Sequence, residues 1–366
     1  MDLARKRLGL AVAVLALALP AGASAATYTV SVGTPATAHL PGSFAAGLFD
    51  ADAYYPGALQ VHRGDSVKFV GGFHTATIVG NASAAALSII QPDPAHLYAA
   101  ENDLNGVPFV FSNQRKAIYN LATFAPIGSN VVTSKTATYS SGVLGSPSGY
   151  TLKFNKVGTY RVICLIHPFM STRIIVRKRG LAIPTKRAQS RRAARQLAVD
   201  IANAKKADLR LARVAQDPAA PVVRLGGGAS RRFSLFAFYP SALSVKTGTT
   251  VTFRNDSPNE PHSVGLGDIN LHIAFLATHD LVPTGPASPN QLSPTFIYGT
   301  DAAVGGVRTY TGSTMHKNGF FSTPLTFQAP GTPFTRDTLI KFTAPGTYTY
   351  ICQLHPFMVG TINVHP

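Results

Sequence analysis

The sequence predicts an all-β protein built as two β-sandwich domains in tandem, joined by a basic and helical linker. Three observations carry this prediction. Short runs rich in β-branched and aromatic residues alternate with period two and end at Gly, Pro or Asn, the pattern of antiparallel sandwich strands. Several of these runs occur twice, and the two most distinctive copies lie 188 residues apart. A length of 366 residues accommodates two domains with a connector between them.

The repeat can be followed element by element. Tyr54-Tyr55-Pro56-Gly57-Ala58-Leu59-Gln60-Val61 matches Phe238-Tyr239-Pro240-Ser241-Ala242-Leu243-Ser244-Val245. A polar turn follows each copy, then an alternating strand: Val67-Lys68-Phe69-Val70 in the first, Val251-Thr252-Phe253-Arg254 in the second. Val107-Pro108-Phe109-Val110-Phe111 resembles Ser293-Pro294-Thr295-Phe296-Ile297. Gly158 to Ile163 and Gly346 to Ile351 read as buried strands, and the strand pattern resumes at Thr172 to Val176 and Gly360 to Val364. No long helical pattern interrupts either copy. The domains are therefore expected at 26–176 and 233–366, with a linker at 177–232.

Charge separates the linker from the domains. The formal charge is +17; residues 177–232 hold fifteen Lys/Arg against three Asp, a net +12. Residues 1–25 add +2, which leaves about +3 for both domains together. Between Thr185 and Gln216 the linker predicts a helix, with Leu197, Ile201, Ala204, Leu211 and Val214 as a weak apolar stripe. Arg191, Arg195, Lys206, Arg210 and Arg213 project elsewhere. Pro184 precedes the helix, and Pro218, Pro221 and three glycines follow it. A solvated helix resting on a neighbouring domain is the simpler reading. The sharper one is a cationic face for an anionic surface or an acidic partner. At the N-terminus, Arg5, Lys6 and Arg7, an apolar run from Leu8 to Leu19 and Ala23-Ser24-Ala25 read as an export signal over 1–25. The apolar run is too short to span a bilayer, so a secreted chain with no transmembrane segment is expected.

The chemistry is concentrated in the only two cysteines. Gly158 to Met170 reads G-T-Y-R-V-I-C-L-I-H-P-F-M, and Gly346 to Met358 reads G-T-Y-T-Y-I-C-Q-L-H-P-F-M. Both contain C-x2-H-x2-M, and in each copy a further His, His74 or His262, lies 90 residues before the Cys. A disulfide between Cys164 and Cys352 would leave two unused ligand sets. One thiolate, two imidazoles and a thioether form the donor set of a type 1 copper site, with Met as the weak axial ligand. Two of the three methionines beyond Met1 occupy these loops.

On these loops the chain resembles the cupredoxins, the plastocyanin and azurin family, with a tight His-to-Met gap like that of amicyanin. The resemblance implies Greek-key β-sandwiches, each with a copper near one end. It assigns one type 1 copper to His74, Cys164, His167 and Met170, and a second to His262, Cys352, His355 and Met358. The chain departs from small cupredoxins by inserts near 81–138 and 266–318. These are readable either as extra loops over the sandwich or as a recognition surface.

A site closed by protein ligands suits single-electron transfer between redox partners. Neither Cys has the adjacent His that wires a type 1 site to catalytic copper, and neither insert has HxH pairs. A copper enzyme with an added interface metal and a copper store remain as alternatives, and no feature calls for nucleic acid. His62 and the remaining histidines, His39, His96, His272, His279, His316 and His365, are expected at the surface or in loops. Met315-His316 is the one other adjacent pair of soft ligands. Pro168 and Pro356, lacking an N–H, cannot donate toward the neighbouring thiolates.

Overall fold

The computed structural model describes residues 24–109, 113–145, 149–167, 169–227, 230–279, 291–327 and 334–366. Most of the expected export signal, Val110, Phe111 and Pro168 lie outside the described residues.

Both halves fold into two facing sheets with the same pairing. In the first half, Thr27–Val32 runs parallel to Ser66–Gly71, which pairs antiparallel with Tyr150–Phe154. The opposing sheet contains the hairpin Gly158–Ile163 with Ser171–Arg177, flanked in parallel by Ala58–His62. In the second half, Val222–Gly227, Thr250–Asn255 and Asp337–Phe342 repeat the first sheet. The hairpin Gly346–Ile351 with Val359–His365, flanked by Ala242–Lys246, repeats the second. The sheets are therefore mixed, where alternation alone suggested antiparallel pairing. The cause is a change of sheet at each Tyr-Pro step, where both peptide bonds are cis. Tyr54–Tyr55 lies in one sheet and Ala58–His62 in the other, so the chain returns beside a strand of the same direction. This is the Greek-key β-sandwich arrangement, made twice.

Alternation does set the cores. Tyr150, Leu152 and Phe154 are buried while Thr151 and Lys153 are exposed. In the second half Val251 and Phe253 are fully buried, beside Ile340 and Phe342 from the neighbouring strand. Each such side chain contributes roughly 1.5–3 kcal/mol by leaving water.

Two sequence readings are corrected here. The second sandwich opens at Val222, inside the stretch 177–232 assigned to the linker. Helices also occur within the second insert: α1, Lys186–Leu211, is the linker helix, but α2, Ile269–Thr278, and α3, Pro294–Tyr298, follow it. Asp268 caps α2 through the Asn270 N–H, and α3 begins on a proline and ends at Gly299, φ 74. Ser293 to Ile297 is thus largely helical while Val107 to Phe109 is not, so the sequence likeness of the two segments is not matched in structure.

α1 is bound on one side and solvated on the other. Thr185 caps it by accepting the Ala188 N–H. Ala204 and Leu211 are buried, Leu197 and Ile201 partly so, and Val214 is exposed. Leu197, Ile201, Ala204 and Leu211 share one cluster with Phe44, Phe49 and Tyr55 of the first domain and Phe233, Leu235 and Tyr239 of the second. Two acids two turns apart fasten the helix to the tyrosine of each Tyr-Pro step. Tyr55 donates its hydroxyl to Asp200 at 2.7 Å, and Tyr239 donates to Asp208 at 2.6 Å. Arg232 donates to Asp200 through Nη2 at 2.7 Å and Nε at 2.9 Å. The five cations named above stay exposed. Beside the helix, the short strand Phe49–Asp50 of the first domain pairs with Ser234 and Leu235, extending the second domain's sheet.

The inserts join the domains a second time. Tyr98 and Phe109 from the first pack with Phe275, Phe296 and Phe320 from the second, and Tyr98 donates its hydroxyl to the Leu292 carbonyl at 2.6 Å. His316 stands between Asp103 at 3.3 Å and Asp301 at 3.1 Å, with φ 46, while Met315 packs on the second core. The Met315-His316 pair therefore diverges. His316 and His272 are buried, and His272 lies in α2, where a surface or loop role was expected of both. Burial pushes His272 down to about 4, against the opposing effect of the Leu266 carbonyl 2.9 Å from Nε2, and Gln353 Nε2 lies 3.2 Å from Nδ1.

Asp200→Ala should remove the partner of Tyr55 and of the half-exposed Arg232. The expected loss is about 1–3 kcal/mol, read as a fall in the thermal midpoint, with a smaller loss for Asp208→Ala. For His316, burial opposes the charged form, but the carboxylates of Asp301 and Asp103 outweigh it and raise the pKa above the ordinary 6.5. Its contribution to insert docking is then complete below pH 6.5 and is lost as pH climbs through the raised value. Amide exchange in residues 98–109 and 299–320 should accelerate across that rise, and His316→Gln should abolish the pH dependence.

Candidate metal centres

In each domain the strand that ends in the Cys lies beside the short strand that follows the upstream His. Ile163 pairs with Thr77, and Gly265 with Ile351. This neighbourhood carries an imidazole to the thiol across 90 residues of chain. His74 is anchored by its carbonyl, which accepts the Leu144 N–H at 2.7 Å, and His262 by reciprocal backbone bonds to Thr326.

The donor atoms converge. His74 Nδ1 lies 3.9 Å and His167 Nδ1 4.0 Å from Cys164 Sγ, and the two nitrogens are 2.9 Å apart. Around Cys352 Sγ, His262 Nδ1 is at 3.7 Å and His355 Nδ1 at 3.5 Å. Met170 and Met358 are buried in the same clusters as Cys164 and Cys352. Each sulfur accepts one backbone N–H, from Thr75 or Ser263, both at 3.4 Å. Those residues' hydroxyls also accept the N–H after the Cys, Leu165 at 2.8 Å and Gln353 at 3.1 Å. Burial disfavours both thiolates. The flanking imidazoles outweigh it and hold both thiols well below their ordinary pKa. Deprotonated sulfur is the form a metal takes.

The far side of each imidazole differs. His74 Nε2 is 3.3 Å from Asp50, and His167 Nε2 is 2.8 Å from Glu260 of the second domain. The same Glu260 lies 3.9 Å from His355 Nε2, and the buried His262 Nε2, like that of His74, has no hydrogen-bond partner among the described residues. Against His74, burial favours the neutral ring, but Asp50 and Cys164 raise it to about 9.

Several residues of these centres escaped the sequence reading. Gly33, φ 77, and Gly226, φ 65, lie against the upstream histidines; a Cβ there would sit 2.4 Å from His74 Nε2 and 2.5 Å from His262 Nε2. They stand at unequal distances before their histidines, so the repeat did not align them. Glu260 and Asp50 gave no motif. Thr75 and Ser263 were visible as the hydroxyl residues directly following each His.

Comparison with known proteins identifies the second half. Residues 229–365 match the model of a family described as copper binding proteins, plastocyanin/azurin family. This domain is a cupredoxin. Among solved structures, a purple cupredoxin from Nitrosopumilus maritimus shares 18% identity over 39% of this chain and 98% of its own, with a TM-score of 0.21. A fern plastocyanin variant shares 20% over 39% and 99%, with a TM-score of 0.22. The copper(I) form of an amicyanin variant shares 22% over 42% and 89%, with a TM-score of 0.19. No curated protein sequence matches the chain. The first domain, which lies outside that match, repeats the strand pairing and the donor cluster of the second.

Gly226→Ala should push the His262 ring aside. We expect loss of one equivalent of metal, with the first cluster still loading and circular dichroism unchanged. Retention of two equivalents would contradict the close packing described here.

Proposed function

We propose that the chain is a secreted two-site blue copper protein that carries single electrons between redox partners. His74, Cys164, His167 and Met170 hold one copper, and His262, Cys352, His355 and Met358 hold the other. The observation that carries this reading is the convergence of two Nδ1 atoms on a buried thiol, made twice in equivalent places. The donors fit the metal: soft sulfur and neutral imidazole suit copper in both oxidation states, while calcium and magnesium prefer oxygen. Copper bound there supplies a one-electron couple. The chain's own part is to fix the donors in buried or, for His355, half-buried positions, limit the access of water to them and hold each thiolate by a backbone N–H. Second-shell bonds of this kind restrict ligand movement and tune the metal.

The flanks of the cysteines favour a carrier over an enzyme, since neither Cys adjoins a His. A third group of metal-competent side chains, Asp52, His167 and Glu260, shares His167 with the first donor set. No described helix is long and apolar enough to cross a membrane, and export rests on the expected signal at 1–25.

Elemental analysis and electron paramagnetic resonance of the purified protein test the reading. We expect two coppers with small hyperfine splitting; a type 2 signal would favour the copper oxidoreductase instead. Cys164→Ser should halve copper content and blue absorption, because all four donors of each set lie in one domain. The exposed cations of α1 are proposed to meet an acidic partner or anionic surface. Association should weaken with salt as charges are screened over about 8 Å at physiological ionic strength; salt-insensitive association would leave them as a solvated face.

A further inference from the structure

The loop histidines of the two donor clusters meet at one carboxylate. Glu260 Oε1 lies 2.8 Å from His167 Nε2, and Oε2 lies 3.9 Å from His355 Nε2. The carboxylate is largely enclosed, and its backbone is held in place: the Glu260 N–H donates to Ser257 Oγ at 3.1 Å, and its carbonyl accepts from Asn255 Nδ2 at 2.9 Å. Two residues further on, the same loop supplies His262 to the second cluster. Glu260 therefore belongs by chain to one centre and by hydrogen bond to the other.

The surrounding interface makes this contact a fixed one. Asp52 of the first domain accepts from Ser234 Oγ at 2.6 Å and from Asn259 Nδ2 at 2.5 Å, and its N–H donates to the Arg232 carbonyl at 2.8 Å. Phe169, in the loop after His167, lies under the Arg231 guanidinium at 3.9 Å. His167 is 5% exposed, so its outer edge is shut in by the second domain.

We propose that Glu260 is a positioning residue shared by both metal centres, which orients His167 directly and His355 by its charge, and so couples the first centre to the second. This rests on the copper reading above. An imidazole that gives Nδ1 to a metal and Nε2–H to a carboxylate is a fixed and more electron-rich ligand. Such a ligand favours the more highly charged state of the metal. The effect is larger at the first centre, where the contact is a hydrogen bond, than at the second, where it is a longer-range attraction.

Glu260→Gln, nearly isosteric, removes the charge and tests the proposal in the full chain. Copper content and blue absorption are measured first in both proteins; absence of copper from the wild type would refute the copper reading itself. With both sites loaded, spectroelectrochemistry should show the first centre's potential raised by 59 mV or more, a tenfold change in the one-electron equilibrium. Cys352→Ser and Cys164→Ser backgrounds assign the two potentials, and the second centre should move less. An unmoved first centre in a folded, loaded variant overturns the proposal. Nitrogen-15 NMR of the metal-free wild type decides independently of copper and of the variant's folding. A His167 Nε2–H that is downfield and protected from exchange supports the bridge, and a rapidly exchanging one overturns it.

Discussion

A hairpin too tight to arrange its loop in any other way is the constraint on which each half depends. The Cys164 N–H donates to the Met170 carbonyl at 3.1 Å, and the Met170 N–H to the His167 carbonyl at 2.9 Å. In the second half the same two bonds measure 3.1 and 2.8 Å. Thiol, imidazole and thioether therefore leave one strand end together, inside the sandwich. A buried thiolate is costly without donors and a partner charge. The fourth side chain must come from the adjacent strand entrance, where Thr75 or Ser263 also brings its N–H to the sulfur. Gly33 and Gly226 complete the arrangement by leaving room for the ring.

The two halves are alike in fold but unlike in setting. The first centre's loop His is closed off by Glu260. At the second, His355 packs against Phe236 with ring centroids 4.6 Å apart, and Phe357 beside it is half exposed. A repeat built for symmetry has thus been placed so that one domain covers the other. Polar and apolar contacts divide this work. The cluster under α1 supplies area, while Asp200, Asp208, Asp52 and Glu260 supply direction. Removing one partner of such a buried pair leaves a group unpaired, which costs more than the pair contributes.

The inserts also acquire a role from the arrangement. Tyr98 and Phe109 of the first domain and Phe275 and Phe296 of the second are all buried in one shared cluster. Packed on each other, they bury aromatic side chains of both domains together. Gln353, next to Cys352, accepts from Ser322 at 2.5 Å and bonds His272 of α2, so the second insert reaches the residue beside the thiolate.

By itself the sequence determined the all-β class, the duplication, the linker helix and the two sets of side chains that could meet around a metal. These depend on local signals: period-two alternation, an apolar stripe with caps, and three ligand types within seven residues. His74 and His262 were legible only because the repeat places both 90 residues before a Cys. Tertiary structure alone decided the rest. The parallel pairing follows from where the chain changes sheets, and packing on the first insert places the helices of the second. Asp200 and Asp208, three of whose partners lie in the flanking domains, read as minor exceptions in a basic helix. Glu260 carried no motif, because its meaning lies in an imidazole 93 residues earlier, and only the docking of the domains brings the two together.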